Sequence, residues 1–291
     1  MERAGRRRSL PVVRTPRQVR SAIGAWRRRG WRVGFVPTMG AIHEGHLSLV
    51  RRARDAADRV VASIFVNPLQ FGPHEDYRRY PRPERRDRQL LREAGVDLLW
   101  LPSVGELYPP GHLTRVRVAE LSQVLEGASR PGHFEGVTTV VAKLLNVVAP
   151  DELWLGQKDA QQALVIERMV ADLDMPLRVR RAPIVREPDG LALSSRNAYL
   201  SVSERRQAVA LARGLSVVRR LLREGERSVA RLRAAVRRVW REYPSVREDY
   251  VAVVDARTLR PLAVVRGRVL VAVAARVGPA RLIDNLEWSV R

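Results

Sequence analysis

Cysteine is absent from the 291-residue chain. That excludes disulfides, thiolate nucleophiles and cysteine-ligated metals. Lysine is scarce as well, since Lys143 and Lys158 are the only two among 53 basic residues. Aromatic residues make up 5%, and no apolar run approaches the ~20 residues that a bilayer-crossing helix needs. The expected location is therefore cytoplasmic, with no membrane partner. Residues 1 to 9 are basic but lead into no apolar signal segment, and read as a loose N-terminal arm.

Charge is the one composition term that is plentiful, at a formal +22. Nucleic-acid binding needs that charge on a concentrated face or stripe, interleaved with aromatics. Here arginines are spread over nearly every predicted helix, so the excess reads as a preference for arginine over lysine and no nucleic-acid partner is expected.

Apolar strand-like runs at Val33 to Val36, Val60 to Val66, Val96 to Leu101 and Glu152 to Leu155 alternate with helical patterns near 46–58, 84–94, 136–148 and 160–172. Fully apolar strands want cover on both faces, which crossover helices supply. The expected fold is α/β, a Rossmann-like parallel sheet with flanking helices. After about residue 185 the texture changes to long arginine-rich helices near 203–223 and 228–241, then strands near 249–254, 268–275 and 280–284. This predicts a smaller C-terminal α+β domain, with a boundary in the turn-forming Arg186-Glu187-Pro188-Asp189-Gly190 and domains of 1–185 and 186–291.

In open α/β sheets, ligands bind beyond the carboxyl ends of the strands, and every distinctive motif lies at such an end. Pro37-Thr38-Met39-Gly40-Ala41-Ile42-His43-Glu44-Gly45-His46 joins the first strand to a helix. The exposed N–H groups of a helix start attract anions, and Gly45 permits close approach of a phosphate. His43 and His46 could donate to its oxygens, could bind a metal, or could simply be loop residues; no third histidine lies within ordinary ligand spacing of the pair. Lys158, in Gly156-Gln157-Lys158-Asp159, offers a compact mobile charge suited to a phosphate that shifts during reaction, or is a surface lysine. Leu193-Ser194-Ser195-Arg196-Asn197 could clasp phosphate oxygens or cap a helix. Gln70 and Gln162 are neutral groups suited to a small hydroxy acid, or face solvent. Asp87 could hold Mg²⁺ through water and phosphate, or be a surface helix acid. His133, ahead of the helix near 136, could line the same cleft or cap that helix.

Taken in order, these segments with Phe65-Val66-Asn67-Pro68-Leu69-Gln70-Phe71, Tyr80-Pro81-Arg82 and Gly132-His133-Phe134-Glu135-Gly136-Val137 resemble the pantothenate synthetase family over roughly residues 11 to 285. The resemblance implies a nucleotidylyltransferase with a class I synthetase-like fold that joins pantoate to β-alanine with ATP and Mg²⁺, through a pantoyl adenylate, and works as a homodimer. It implies catalytic His43, His46 and Lys158. It implies ATP contacts from Pro37, Met39, Gly40, His46, Gly156, Lys158, Asp159, Val185, Ser194, Ser195 and Arg196, and pantoate contacts from Gln70, Gln162, Met39, Asn67 and Tyr80, with Asp87 toward the metal and the smaller domain as a lid. Two features depart from the family pattern. Arg85 and Arg86 precede Asp87 where carboxylates are common, and Gln157 stands where glutamate is frequent. An adenylating ligase of the same fold acting on another small acid is the nearest rival, and a tRNA-binding synthetase relative is the rival from another class.

Overall fold

The computed structural model describes residues 9–73 and 75–290. Residues 1–8, most of the expected N-terminal arm, lie outside the described residues. The chain divides into two compact units. The first takes the chain up to Val118 with Arg130–Gly156 and Val165–Ala182; the second takes Ala119–Ser129, Gln157–Leu164 and everything from Pro183.

Elements follow in the order β1 (Val12–Val13), α1 (Pro16–Arg27), β2 (Val33–Thr38), α2 (Glu44–Ala56), β3 (Arg59–Ile64), α3 (Glu84–Glu93), β4 (Leu98–Trp100) and the one-turn α4 (Val104–Leu107). After the short α5 (Glu126–Ser129) come α6 (His133–Val148), β5 (Glu152–Gly156), α7 (Ala160–Asp172) and β6 (Arg178–Ala182). The six strands form one sheet ordered β1-β4-β3-β2-β5-β6, with every pair parallel. The order reverses direction between β2 and β5, and a crevice at the carboxyl ends opens at such a reversal. Apolar residues of β2, α2, β3 and β4, among them Val36, Val50, Val60, Ala62 and Leu99, are buried together. The strand residues among them share one face, under α2 and α3. Val33, Phe35, Val61 and Leu98 on the opposite face are buried as well, so the strands have the two-faced cover that apolar parallel strands require.

The second unit continues with α8 (Val202–Ala208), α9 (Ala210–Arg223) and α10 (Val229–Trp240), then β7 (Val246–Asp255), β8 (Arg268–Val277) and β9 (Ala280–Ser289). Its three strands form an antiparallel sheet in the order β7-β8-β9. The sheet and helices share a core that includes Leu215, Leu232, Trp240, Val251, Val271 and Leu282. The architecture is the expected parallel α/β sheet plus a smaller α+β part.

Local differences have physical causes. The helix expected at 46 begins at Glu44, because His43 caps it. The helix expected at 136 begins at His133, after a left-handed Gly132. The single helix expected over 203–223 is interrupted at Val209. Strand β6 was not anticipated, since its Arg178-Val179-Arg180-Arg181 reads as polar; it occupies the sheet edge, where one side needs no apolar cover. Among the described residues, no helix is long and apolar enough to cross a membrane.

Candidate active site

Strand β2 ends at Thr38, whose hydroxyl donates to Ser63 O at 2.8 Å and accepts the Gly40 N–H at 3.1 Å. The chain then makes a sharp reversal through two left-handed residues, Gly40 (φ +85°) and Ala41 (φ +49°). For alanine that conformation is strained, and it persists only where surroundings enforce it. Asp87 of α3 does so. Its Oδ2 accepts the Ala41 N–H and its Oδ1 the Ile42 N–H, both at 2.8 Å, with the residue 1% exposed. Burial pushes the Asp87 carboxyl above its ordinary range, although the two N–H groups pull the other way.

The reversal delivers His43 to the first position before α2. Its Nδ1 accepts the Gly45 N–H at 3.1 Å, and the Nδ1 of His46 accepts the His43 N–H at 3.4 Å. The pair thus forms a reciprocal helix cap in which imidazoles replace the usual hydroxyl and carboxylate. The rings lie 4.1 Å apart. With each Nδ1 accepting, the proton of each neutral ring belongs on Nε2, so each imidazole can donate from that edge. Among the described residues, no group of three or more His, Asp or Glu side chains is arranged to hold a metal ion.

Beyond β3, Asn67 caps a short turn over Pro68–Gln70 and is 1% exposed. The Asn67 amide donates to Gln70 Oε1 at 3.1 Å and to Gly136 O at 3.0 Å, while Tyr108 Oη donates to Asn67 Oδ1 at 2.8 Å. Gln70 Nε2 in turn reaches Met39 Sδ at 3.0 Å. Met39, Asn67 and Gln70 are therefore brought together. Tyr80, 4% exposed, packs edge-on to Phe71. Gly136 is what allows α6 to pass this turn, for a Cβ there would lie 2.3 Å from Leu69 O. Tyr108 was missed by sequence reasoning, because the stretch around it carries no motif.

In the second unit, Gln157–Asp159 form a single 3-10 turn. Asn285 of β9 donates from Nδ2 to Gln157 O and Lys158 O, each at 2.9 Å, and so fixes the turn. Gln157 Nε2 donates to Glu287 Oε1 at 3.1 Å and Asn285 Oδ1 at 3.3 Å. Glutamate at this position would face Glu287 with a like charge, which explains the amide here. Lys158 Nζ is 3.5 Å from Asp159 Oδ1 and partly exposed. Gln162 is half-buried on the first turn of α7. Val185 O accepts from Leu193 N, and Ser194 Oγ caps the turn Ser195–Tyr199 through the Arg196 N–H. Asn285 was also missed; nothing marks it in β9, where it stands among other polar residues such as Arg281, Asp284 and Glu287.

Over residues 11–287 the sequence matches the family described as pantoate-β-alanine ligase. The chain belongs to this family. It is 54% identical over 281 residues to the pantothenate synthetase of Moorella thermoacetica, covering 97% of this chain and 99% of that one. It is 56% identical over 259 residues to that of Heliobacterium modesticaldum, covering 89% and 92%. A crystal structure of pantothenate synthetase from Thermus thermophilus superposes with a TM-score of 0.91 at 51% identity, covering 95% of this chain and 99% of that chain. The pantoate-β-alanine ligase of Francisella tularensis, solved in complex with β-γ ATP and β-alanine, gives 0.77 at 34% identity, covering 95% and 97%. Membership of the pantoate–β-alanine ligase family thus extends over the segments of both compact units.

Proposed function

We propose that this protein condenses pantoate with β-alanine at the expense of ATP, through a pantoyl adenylate, releasing pyrophosphate and then AMP. The observation that carries the reading is the reciprocal cap of His43 and His46. It orients two Nε2–H donors at a helix start, where backbone N–H groups already favour an anion. In the first step the pantoate carboxylate attacks the α-phosphorus and the bond to the bridging oxygen breaks toward pyrophosphate. Prepositioned donors stabilise the charge that develops. Lys158 neutralises the departing phosphates, and Ser194, Ser195 and Arg196 hold the triphosphate. Pro37, Met39, Gly40 and Val185 contact the nucleotide, and Gly156 and Asp159 its ribose.

Asn67, Gln70 and Gln162, with Met39 and Tyr80, hold pantoate by geometry and neutral hydrogen bonds. In the second step the β-alanine amine attacks the activated carbonyl and AMP leaves with the bonding pair, the amine proton passing to solvent or phosphate. The product amide needs no further activation.

Each Asp87 oxygen accepts a main-chain N–H in a buried position, an arrangement that favours a structural role over the expected one of reaching Mg²⁺ through water and phosphate. We assign it instead to holding the strained reversal ahead of His43. We further propose a homodimer in the cytoplasm; light scattering would read twice the chain mass.

The deciding measurement is pyrophosphate and AMP release from ATP with Mg²⁺, first with pantoate and then with β-alanine added. AMP release that requires all three substrates, with pantothenate identified by mass spectrometry, is the expected outcome. A folded, ATP-binding protein that stays silent with pantoate would make another small acid the substrate.

A further inference from the structure

The main chain of Gln70 is held by a string of polar groups that neither step of the reaction uses. His133, the first residue of α6 and 8% exposed, places Nδ1 2.8 Å from Gln70 O. A carbonyl only accepts, so the proton is on Nδ1. The other ring nitrogen, Nε2, lies 3.1 Å from the Arg130 guanidinium, which only donates. Nε2 therefore presents its lone pair, and the ring is neutral in a single tautomer. Arg130 adds a second donor to Gln70 O at 3.3 Å. It is itself clamped by Glu75 in a two-pronged ion pair, Nε to Oε1 at 2.7 Å and Nη2 to Oε2 at 2.5 Å. Burial raises the Glu75 carboxyl, but the hydrogen bond and charge of Arg130, joined by the Gly72 N–H and His133, together hold the group below its ordinary range.

The consequence is geometric. Gln70 is gripped at its carbonyl by His133 and Arg130 and at its side-chain oxygen by Asn67. The orientation of its amide is then set before any ligand arrives, which lowers the ordering cost of binding. We infer that His133, fixed as the Nδ1–H tautomer by the Arg130–Glu75 pair, is a positioning residue that sets pantoate affinity through the main chain of Gln70. This rests on the assignment of Gln70 to pantoate.

Asparagine and glutamine separate the two ring nitrogens, because the Asn amide nitrogen falls where Nδ1 was and the Gln amide nitrogen where Nε2 was. The experiment is steady-state kinetics of His133→Asn, His133→Gln and Gln70→Ala, with KM for pantoate and for ATP measured separately and folding checked by circular dichroism. Expected are a near wild-type pantoate KM for His133→Asn and a roughly tenfold rise for His133→Gln, the scale of one lost hydrogen bond. ATP KM should stay within about twofold in both. Equal effects of the two variants, or an ATP KM rising in step, would overturn the inference by reducing His133 to a helix-start residue. A Gln70→Ala variant with unchanged pantoate KM would overturn it differently, by removing Gln70 from the pantoate site. Should His133→Gln fail to fold, Glu75→Gln at the more exposed end of the string gives the same readout: a pantoate KM raised about threefold with ATP KM unmoved supports the inference, and an unchanged pantoate KM overturns it.

Discussion

The surroundings of Gln70 and of Lys158 are built on opposite plans. Around the side chain of Gln70, Asn67, Met39, Gly136 and Tyr108 make a buried network of neutral groups in which each amide already has its partner, while the Arg130–Glu75 ion pair reaches Gln70 at its main-chain oxygen. Around Lys158 the support reaches only the main chain, through Asn285, and the ammonium rests 3.5 Å from Asp159 on a partly exposed stem. The first plan suits a rigid small acid that must be recognised in one pose. The second suits phosphates whose charge and position change as the bond breaks.

The largest effect expected from this contrast is at the charge. Lys158→Ala should lower pantoate-dependent exchange of pyrophosphate into ATP by ~10²–10³-fold, the range seen when one donor to a developing charge is removed, with the melting temperature nearly unchanged. Lys158→Arg should recover only part of that, because a planar fork cannot follow a moving phosphate as a point charge does. Full recovery in Lys158→Arg would break the comparison, for it would show that position matters less than charge.

Next comes a test of the rigid plan. Gly136→Ala would put a methyl 2.3 Å from Leu69 O, a main-chain atom with little freedom to give way. It should cost ~1–3 kcal/mol of stability by overpacking and raise pantoate KM, read by denaturant unfolding and kinetics. Unaltered stability would mean that the turn at Pro68–Gln70 is more yielding than its hydrogen bonds indicate.

Asp87 sharpens the contrast from the other side, as a charged group whose work is structural. Asp87→Asn replaces one acceptor by an amide NH₂ donor facing a main-chain N–H, and should cost ~1–2 kcal/mol while reducing exchange. Added Mg²⁺ should not restore it. Recovery at high Mg²⁺ would return Asp87 to the metal.

How far these plans were legible in the sequence follows from the reach of each contact. The parallel sheet, the strand-end placement of the motifs and the residues Gln70, His43, His46 and Lys158 could be read from apolar runs and short spacings. The reciprocal imidazole cap was within reach too, since its partners are three residues apart. Asn285 gripping residues 157 and 158, Tyr108 on Asn67 and Asp87 on Ala41 join positions far apart in the chain. No local pattern encodes such pairings. A buried aspartate on an arginine-rich helix looks like any solvated acid until the fold turns it inward.

The smallest expected effect lies at Gln157, and it isolates electrostatics from shape. Its Nε2 donates to Glu287 Oε1 at 3.1 Å, and Arg268 holds the other oxygen of Glu287 at 2.7 Å. Gln157→Glu preserves size, removes that donor and sets two carboxylates side by side, at a cost of ~0.5–1.5 kcal/mol near pH 7. Like-charge repulsion raises the affinity of the folded pair for a proton relative to the unfolded chain, so the penalty applies at neutral pH and is relieved as pH falls toward the carboxylate range. The melting-temperature gap between variant and wild type should therefore narrow from pH 7 to pH 4.5, with adenylate formation changed by less than about threefold because Asn285 still holds the turn. A gap that stays constant with pH would assign the loss to geometry and leave the amide at this position without an electrostatic reason.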